Sequence, residues 1–355
     1  MTDYSDFTEA IVDYRFIFNY ASYYIRGLIE LFGLDKVRFA AIDNITVDSR
    51  AEHRHGVAIE LRKYSGQRYR IFIDFSDLKL INDKYYDWCD KYAVINCDEE
   101  KLSTRSKLLV IGPGFGVNLF NPVKTLTTGI SNILRKQQPN NIGIKEILME
   151  YAYTFIRRKP LEDYLKIVEP DDKYIFAIST LWYDKLTYST TNNYRGVFME
   201  TCQKIYPYFE GGFFYIPKIA EQEFPQYREY LDRYSSLIYH RRISMAEYLR
   251  KTHRSSIVFN TPSVGGCHGW KLGEYLAMGK TIISTPLTNP MPGNFENGIH
   301  YIECPSVDAL PDIIERLRND KELRQKLAVN ARKYFMDYLH PRRVIERIIK
   351  AIPTR

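Results

Sequence analysis

The sequence predicts an α/β protein of two domains, the second a doubly wound unit on a parallel sheet. Three observations carry this reading. The 355 residues suffice for two domains of ordinary size. Over 257–284 a buried-type strand, a glycine-rich turn, a helix and a further strand follow one another, the pattern of a β-α-β unit. Between the halves lies KPLEDYLKIVEPDD at 159–172, polar and holding two prolines, which reads as the interdomain linker.

In the first half, Ile11, Val12, Phe16, Ile25, Leu28 and Ile29 recur near helical spacing and predict a helix over 7–32, stopped by Gly33. A strand follows at 37–42. The apolar runs 57–62 and 69–75 flank Ser65-Gly66 as a β-hairpin. A helix over about 79–91 leads to a strand at 92–97, and a strand at 107–111 runs into Gly112-Pro113-Gly114-Phe115-Gly116. That run either brings the chain close to a substrate or simply turns it. In the second half, a strand at 174–179 precedes a helix over 195–206 and a short strand at 213–216. Ser244 and Glu247 have the spacing of a capping box and start a helix to about 252. A strand at 257–259, a helix at 270–278 ended by Gly279, and strands at 281–284 and 299–303 follow. Helices over 306–319 and 320–338 come next, and Pro341 suits the first turn of a last helix.

Apolar residues make up 45% and charged residues 26% of the chain, the balance of a folded soluble protein. The 29 tyrosines and 19 phenylalanines predict a core with polar edges, since Tyr fills space and still reaches a partner. The five cysteines (89, 97, 202, 267, 304) are odd in number and none forms C-x-x-C. A disulfide framework or zinc knuckle is therefore not expected, and a reducing compartment is. Asp3, Asp6, Glu9 and Asp13 argue against a signal peptide, and no run approaches the roughly 18 apolar residues of a membrane span. A cytoplasmic protein is expected. Of the net charge of +7, more than all sits in 316–355, where twelve Lys/Arg face four Asp/Glu. This tail is either a solvated helix face or an attraction to an anionic membrane surface. No nucleic-acid motif accompanies it, so no nucleic-acid partner is expected.

The chemistry points to 263–279. The first turn of a helix has N–H groups without internal partners, and the helix dipole adds partial positive charge there. Gly265, Gly266 and Gly269 let the main chain approach an anion, a setting that suits a pyrophosphate. Lys271 adds a full charge, and Glu274, three residues on, shares its face, placed to accept from ribose hydroxyls. His268 either bonds a phosphate or sugar hydroxyl or caps the helix. Lys271 and Glu274 also fit an ordinary surface pair. Cys267-His268 is not metal-ligand spacing, and no metal is expected.

The stretch Lys271-Leu272-Gly273-Glu274-Tyr275-Leu276-Ala277-Met278-Gly279-Lys280-Thr281-Ile282-Ile283 resembles the K-x-x-E-Y-x-A-x-G-K-P-V-I segment of the group 1/family 4 glycosyltransferases. Downstream, Asn297-Gly298, Asp308-Ala309-Leu310, Leu317-Arg318-Asn319-Asp320 and Leu327-Ala328-Val329-Asn330-Ala331-Arg332 follow in the order of the same family. The resemblance covers about 255–340 well and 172–255 loosely; the first half carries no recognised motif. It implies the GT-B fold: two Rossmann-like domains facing across a cleft, with the last helix crossing back. The domains would be 1–165 on the acceptor side, 166–338 on the donor side, and 339–355 as the crossing helix on the first domain.

The resemblance implies transfer of a sugar from a nucleoside-diphosphate sugar to an acceptor hydroxyl, in polysaccharide or glycolipid synthesis, with no tightly bound cofactor. Glu274 matches the ribose-binding glutamate, 265–269 the turn facing donor sugar and phosphates, and Lys271 a basic position near the phosphates. Arg195, before Gly196, or Lys185 would supply a further phosphate contact. Retaining members commonly carry E-x(7)-E, and here Gly266 stands where the first glutamate would be. The acceptor, a glycan or lipid-linked glycan, would sit on the first half. An acceptor base is sought there among Asp74 and Asp77, at a strand's C-terminal end, and His53 and His55. Each also reads as a cap, turn or surface residue. On the crossing helix, Arg342, Arg343 and Arg347 would face an anionic membrane. The competing readings are a non-catalytic nucleotide- or glycan-binding module of the same fold, and a GT-B sugar epimerase or phosphorylase.

Overall fold

A computed structural model describes residues 4–134, 144–182, 188–214 and 227–353. The chain divides into two units. The first comprises Met1–Glu162, Pro290–Gly293 and Met336–Arg355, the second Asp163–Asn289 and Asn294–Phe335.

The first unit is built on a six-stranded sheet in the order β2-β1-β3-β4-β5-β6. Its strands are β1 (Phe7–Asp13), β2 (Val37–Ala40), β3 (Gly56–Lys63), β4 (Arg68–Asp74), β5 (Lys91–Val94) and β6 (Leu108–Val110). β3 runs antiparallel to both β1 and β4, and the other pairings are parallel. The predicted hairpin is present, with Val57 opposite Ile73 and Leu61 opposite Tyr69.

The helix expected over 7–32 is corrected at its start, because 7–13 is a strand in the sheet interior. Ala10, Ile11, Val12 and Asp13 are buried in succession, as in a strand covered on both faces. The buried Asp13 carboxylate then closes the strand. It accepts from the backbone N–H of Arg15 and of Ile42, at 2.9 and 3.0 Å, and pairs with the Arg15 guanidinium at 2.6 Å. Only then does α1 (Phe18–Phe32) begin, ending at Gly33 with φ 90°.

The other helices of this unit are α2 (Arg50–His55), α3 (Asp83–Trp88), α4 (Glu99–Thr104), α5 (Pro122–Leu134) and α6 (Ile144–Arg157). The helix read over 79–91 is thus the six residues of α3, and α5 and α6 have no counterpart in the sequence reading. Tyr23, Tyr24, Tyr85 and Tyr92 are fully buried. Tyr23 donates its hydroxyl to the Leu339 carbonyl at 2.5 Å, the expected use of Tyr in a core with polar edges. The run 112–116 is buried. A Cβ at Gly112 (φ 76°) would lie 2.6 Å from Leu339 and 2.9 Å from Pro292, so its close approach is to its own chain.

After the short α7 (Leu161–Tyr164), every strand pairing in the second unit is parallel. β7 (Tyr174–Thr180) pairs with β8 (Tyr208–Phe214), and β9 (Ile257–Asn260), β10 (Thr281–Ser284) and β11 (Ile302–Glu303) form a second sheet. β7 lies beside the start of β9, where Ser256 N–H donates to the Tyr174 carbonyl at 2.9 Å. The helices are α8 (Tyr188–Ile205), α9 (Tyr227–Arg233), α10 (Met245–Arg254), α11 (Trp270–Met278), α12 (Leu310–Asn319) and α13 (Lys321–Tyr334). Ser244 caps α10 by accepting from Glu247 N–H at 3.2 Å. Ile175, Ile257, Ile283, Leu310 and Leu327, all wholly buried, form the core. Of the strand read over 213–216, the part beyond Phe214 lies outside the described residues. The strand read over 299–303 shortens to β11.

The last helix, α14 (Pro341–Lys350), belongs to the first unit and packs along α1. Gly27 permits this contact, because a Cβ there would stand 2.3 Å from the Pro341 carbonyl oxygen. The arginines read as facing a membrane are engaged within the unit. Arg342 and Arg343 pair with Glu346 at 2.9 and 2.6 Å, and Arg347 donates to the Val110 carbonyl at 2.9 Å.

In an ordinary helix interior, Gly→Ala stabilises by about 0.5–1 kcal/mol. At Gly27 the added methyl collides with backbone, so Gly27→Ala should instead lower stability by about 1–3 kcal/mol. A urea midpoint at or above the parent's contradicts the α1–α14 packing.

Candidate anion site at the start of α11

β9 ends at Asn260 and the chain reaches α11 through 261–269. The turn needs glycine twice, since Gly265 (φ 62°) and Gly266 (φ 75°) lie in the left-handed region. The Gly266 carbonyl accepts from Thr288 and, at 2.8 Å, from Asn289 Nδ2. The loop is thereby fixed to the chain after β10. Gly269 is the N-cap of α11 and makes no side-chain capping bond.

At this helix start lies a cavity of about 160 Å³, lined by Ser179, Thr180, Trp182, Arg195, Thr261 and Lys271 among others. The Lys271 ammonium donates to the Ile178 carbonyl and, at 3.2 Å, to Ser179 Oγ. Arg195 donates to Thr261 Oγ1 at 2.8 Å and to the Thr180 carbonyl at 3.2 Å. Burial pushes the lysine down to about 7, the Arg195 charge adds to this, and Glu274 opposes it. Burial likewise lowers Arg195 to about 10. The Trp182 indole N–H is buried with no acceptor among the described residues. Two desolvated cations and a buried N–H donor therefore border one small space, where an anion gains most.

The structure brings Arg195, Gly269 and Lys271 together around the cavity, whereas Gly265, Gly266, His268 and Glu274 do not line it. His268 and Glu274 are buried. Tyr248 donates its hydroxyl to Glu274 Oε2 at 2.8 Å, which orients the carboxylate. Lys185 lies outside the described residues. Thr261, Ser179 and Trp182 escaped the sequence reading because nothing in their spacing marks them; the topology gathers them at the ends of β7 and β9. No group of three or more His, Cys, Asp or Glu suited to a metal ion occurs among the described residues.

The first unit holds a separate cavity of about 840 Å³, lined by Arg50, Arg54, His55, Asp77, Lys145 and Glu150 among others. Asp74 is 1% exposed and does not line it. Its carboxylate accepts from Ser76 N–H at 2.9 Å, Tyr92 O–H at 2.5 Å and His55 Nε2 at 2.7 Å. Asp74 thus reaches the cavity through His55, with Nδ1 left as the basic nitrogen of the imidazole. Burial works to lower His55, but the Asp74 hydrogen bond and charge outweigh it and raise the histidine above its ordinary value. Asp77 is exposed at the cavity rim. His53 is buried, with Nδ1 2.7 Å from the Arg15 carbonyl and Nε2 2.8 Å from Glu150; it ties α2 to α6.

Residues 218–350 match the family described as Glycosyl transferase-like, a span that contains the stretch on which the sequence resemblance rests. No curated protein matches the chain. Among solved structures, a glycosyltransferase from Rickettsia africae is 14% identical over 78% of this chain and 69% of its own, with a TM-score of 0.41. HepE from Anabaena, in complex with UDP, is 11% identical over 76% of this chain and 65% of its own, TM-score 0.44. The C-terminal domain of a group 1 glycosyl transferase from Francisella tularensis is 16% identical over 48% of this chain and 87% of its own, TM-score 0.34. These likenesses are distant.

Lys271 releases its proton near 7 in the folded chain and near 10.5 when unfolded. Between those values the unfolded chain holds more protons, so the penalty of burying this charge is full below about pH 7 and fades as pH rises. Lys271→Met should therefore gain more stability at pH 6.5 than at pH 9.5. An equal difference at both pH values in urea titrations contradicts the buried-cation assignment.

Proposed function

We propose, from the match of residues 218–350 to the glycosyl transferase-like family, that the protein moves a glycosyl group from a nucleoside-diphosphate sugar to an acceptor hydroxyl. The observation that carries this is the pair of desolvated cations, Lys271 and Arg195, at the start of α11. At about 160 Å³ the cavity is smaller than the roughly 300 Å³ of an ordinary ligand pocket. It suits the diphosphate alone, with sugar and nucleoside extending beyond it.

As the bond from the anomeric carbon to the phosphate oxygen breaks, its electron pair passes to the diphosphate. Fixed N–H dipoles and two cations stabilise the charge that appears there. Glu274, oriented by Tyr248, takes the ribose hydroxyls. Gly265, Gly266 and His268 shape the loop beside the phosphates. The acceptor oxygen bonds to the anomeric carbon and its proton passes to His55 Nδ1. Asp74 is a positioning residue that holds the imidazole through Nε2, and Asp77 contacts the acceptor at the rim of the same cavity. A neutral imidazole is the active form. No carboxylate can take the place of Gly266 without strain at φ 75°, which fits transfer without a glutamate from that position. The acceptor in this reading is a glycan or lipid-linked glycan, in polysaccharide or glycolipid synthesis.

A nucleoside-diphosphate sugar should raise the melting temperature. Glu274→Ala and Arg195→Ala should each weaken binding about tenfold or more, given that a hydrogen bond to a charged group contributes about 1.5–3 kcal/mol. Bound diphosphate should restore the proton to Lys271, so affinity should fall as pH rises above about 7 in the parent and stay flat in Lys271→Met. Unchanged binding in a folded Glu274→Ala contradicts the ribose assignment.

With a competent acceptor, His55→Ala should lower turnover about 100-fold or more while leaving donor binding intact. Asp74→Asn should move the acid limb of the pH–rate profile to lower pH, because it removes the charge that raises His55. Donor binding without transfer to any acceptor in a broad panel would favour the non-catalytic reading.

A further inference from the structure

The cavity that holds His55 also carries an aromatic stack that the transfer step does not use. Phe75 follows Asp74 at the end of β4 and donates its N–H to the His55 carbonyl at 3.2 Å. The register that positions the imidazole therefore positions this ring as well. Tyr20 and Tyr24 lie one turn apart on α1. Each stacks on Phe75 with ring centroids 6.0 Å apart, at 17° and 6° from parallel. Exposure rises through the stack, from 2% at Tyr24 and 8% at Phe75 to 40% at Tyr20. A single exposed aromatic residue is ordinary. Tyr20 differs in that its plane is fixed through a buried ring and it lines the cavity with that ring.

Hydrogen-bonding groups line the same cavity. Glu150 is buried and gives Oε1 to His53 Nε2 at 2.8 Å, which leaves its second oxygen to accept from a ligand. Ser76 Oγ donates to the Leu78 carbonyl at 3.1 Å and keeps its lone pairs. Helix α6, which carries Glu150, is held on α1 close to Tyr20, where Phe18 stacks on Tyr151 with centroids 4.3 Å apart.

We infer that Tyr20 is the platform for a sugar ring of the acceptor: the C–H face of a pyranose rests on the tyrosine, and hydroxyls at its edge meet Glu150, Ser76 and His55. The word acceptor and the role of His55 come from the transferase reading; the sugar site itself rests on the stack and the polar groups. An aromatic face is negative and attracts the partly positive C–H hydrogens of a pyranose. An alkyl chain or a flat aromatic guest would cover Tyr20 but leave buried polar groups unpaired, at a cost. A sugar has an apolar face and a hydroxylic edge, and so matches both parts of the cavity.

Saturation-transfer NMR and shift titrations on the full chain test this. The probes are the methyl glycosides of glucose, galactose, mannose and N-acetylglucosamine, with cyclohexanol and adenine as controls. At least one glycoside should bind, with its ring C–H protons receiving saturation from aromatic protons and moving upfield. Tyr20→Phe and Tyr20→Trp should keep that binding, because each keeps a ring. Tyr20→Leu should weaken it about three- to tenfold, the contribution of an aromatic contact beyond its area, although leucine is apolar too. Arg195→Ala, in the second unit, should leave glycoside binding unchanged. Circular dichroism and unchanged binding of a nucleoside-diphosphate sugar report that each Tyr20 variant is folded.

Binding of no glycoside in the panel overturns the inference. So does equal binding in the parent and Tyr20→Leu, or an equal loss in Tyr20→Phe and Tyr20→Leu, which would assign the effect to the hydroxyl. Adenine or cyclohexanol binding as tightly as the best glycoside overturns it as well, since the cavity would then take any flat or apolar ring. Nucleotide-sugar binding without Tyr20-dependent glycoside binding removes this inference alone. Tyr20-dependent glycoside binding without nucleotide-sugar binding removes the transferase reading and leaves a sugar-binding site.

Discussion

Two cations cannot be brought into a partly desolvated space without cost: each loses hydration, and each raises the energy of the other's charged form. In the second unit Lys271 and Arg195 are held in this way by carbonyl and hydroxyl oxygens rather than by carboxylates. Neutral acceptors orient a cation without cancelling its charge. Much of the unit's architecture serves that arrangement. β7 supplies the carbonyls of Ile178 and Thr180, α8 supplies Arg195, the end of β9 leads to Thr261, and α11 supplies Lys271 with its own N-terminal dipole. Four elements distant in sequence converge on one cavity because every strand pairing here is parallel, which gathers the strand C-termini at one end.

Lys280 shows the same chemistry used for structure. It is buried and donates to the carbonyls of His253, at 2.8 Å, and Ser255, where α10 ends. A cation over the last carbonyls of a helix satisfies acceptors that the helix cannot. Lys271 and Lys280 stand nine residues apart in the motif-bearing stretch and are both lowered to about 7 by burial. Only the first borders open space. Shifted ionisation alone would not separate them; the cavity does.

The second half was legible because its local signals agree with its tertiary role. Capping at Ser244, the stop at Gly279 and the strand at 281–284 appear where the pattern put them. The first half was less legible because burial on both faces erases periodicity. Successive buried residues in β1 imitate one side of a helix, and α5 and α6 keep so much apolar surface in solvent that no inward-facing stripe stands out. At the candidate sites, Lys271 was legible from charge beside a glycine-rich turn, and Arg195 only from the family resemblance at Arg195-Gly196. The link from His55 to Asp74 was not, since it joins residues 19 apart that meet only because β3 and β4 pair in a particular register. Asp74 lies opposite Gly56 in that register, and His55 is the residue before it.

The first unit is discontinuous: it takes Met1–Glu162, the short piece Pro290–Gly293, and Met336–Arg355. Helix α1 therefore waits for a partner made more than 300 positions later, as the hydrogen bond from Tyr23 to Leu339 spans 316 residues. On the ribosome the sheet of the first unit can assemble while the groove along α1 stays wet, and the second unit emerges whole before that groove is sealed. Completion of the earlier unit thus waits until the residues after Phe335 have been made. For the same reason no single cut at the linker yields two intact halves, and a fragment ending near residue 165 would carry an open α1 face wherever it is expressed.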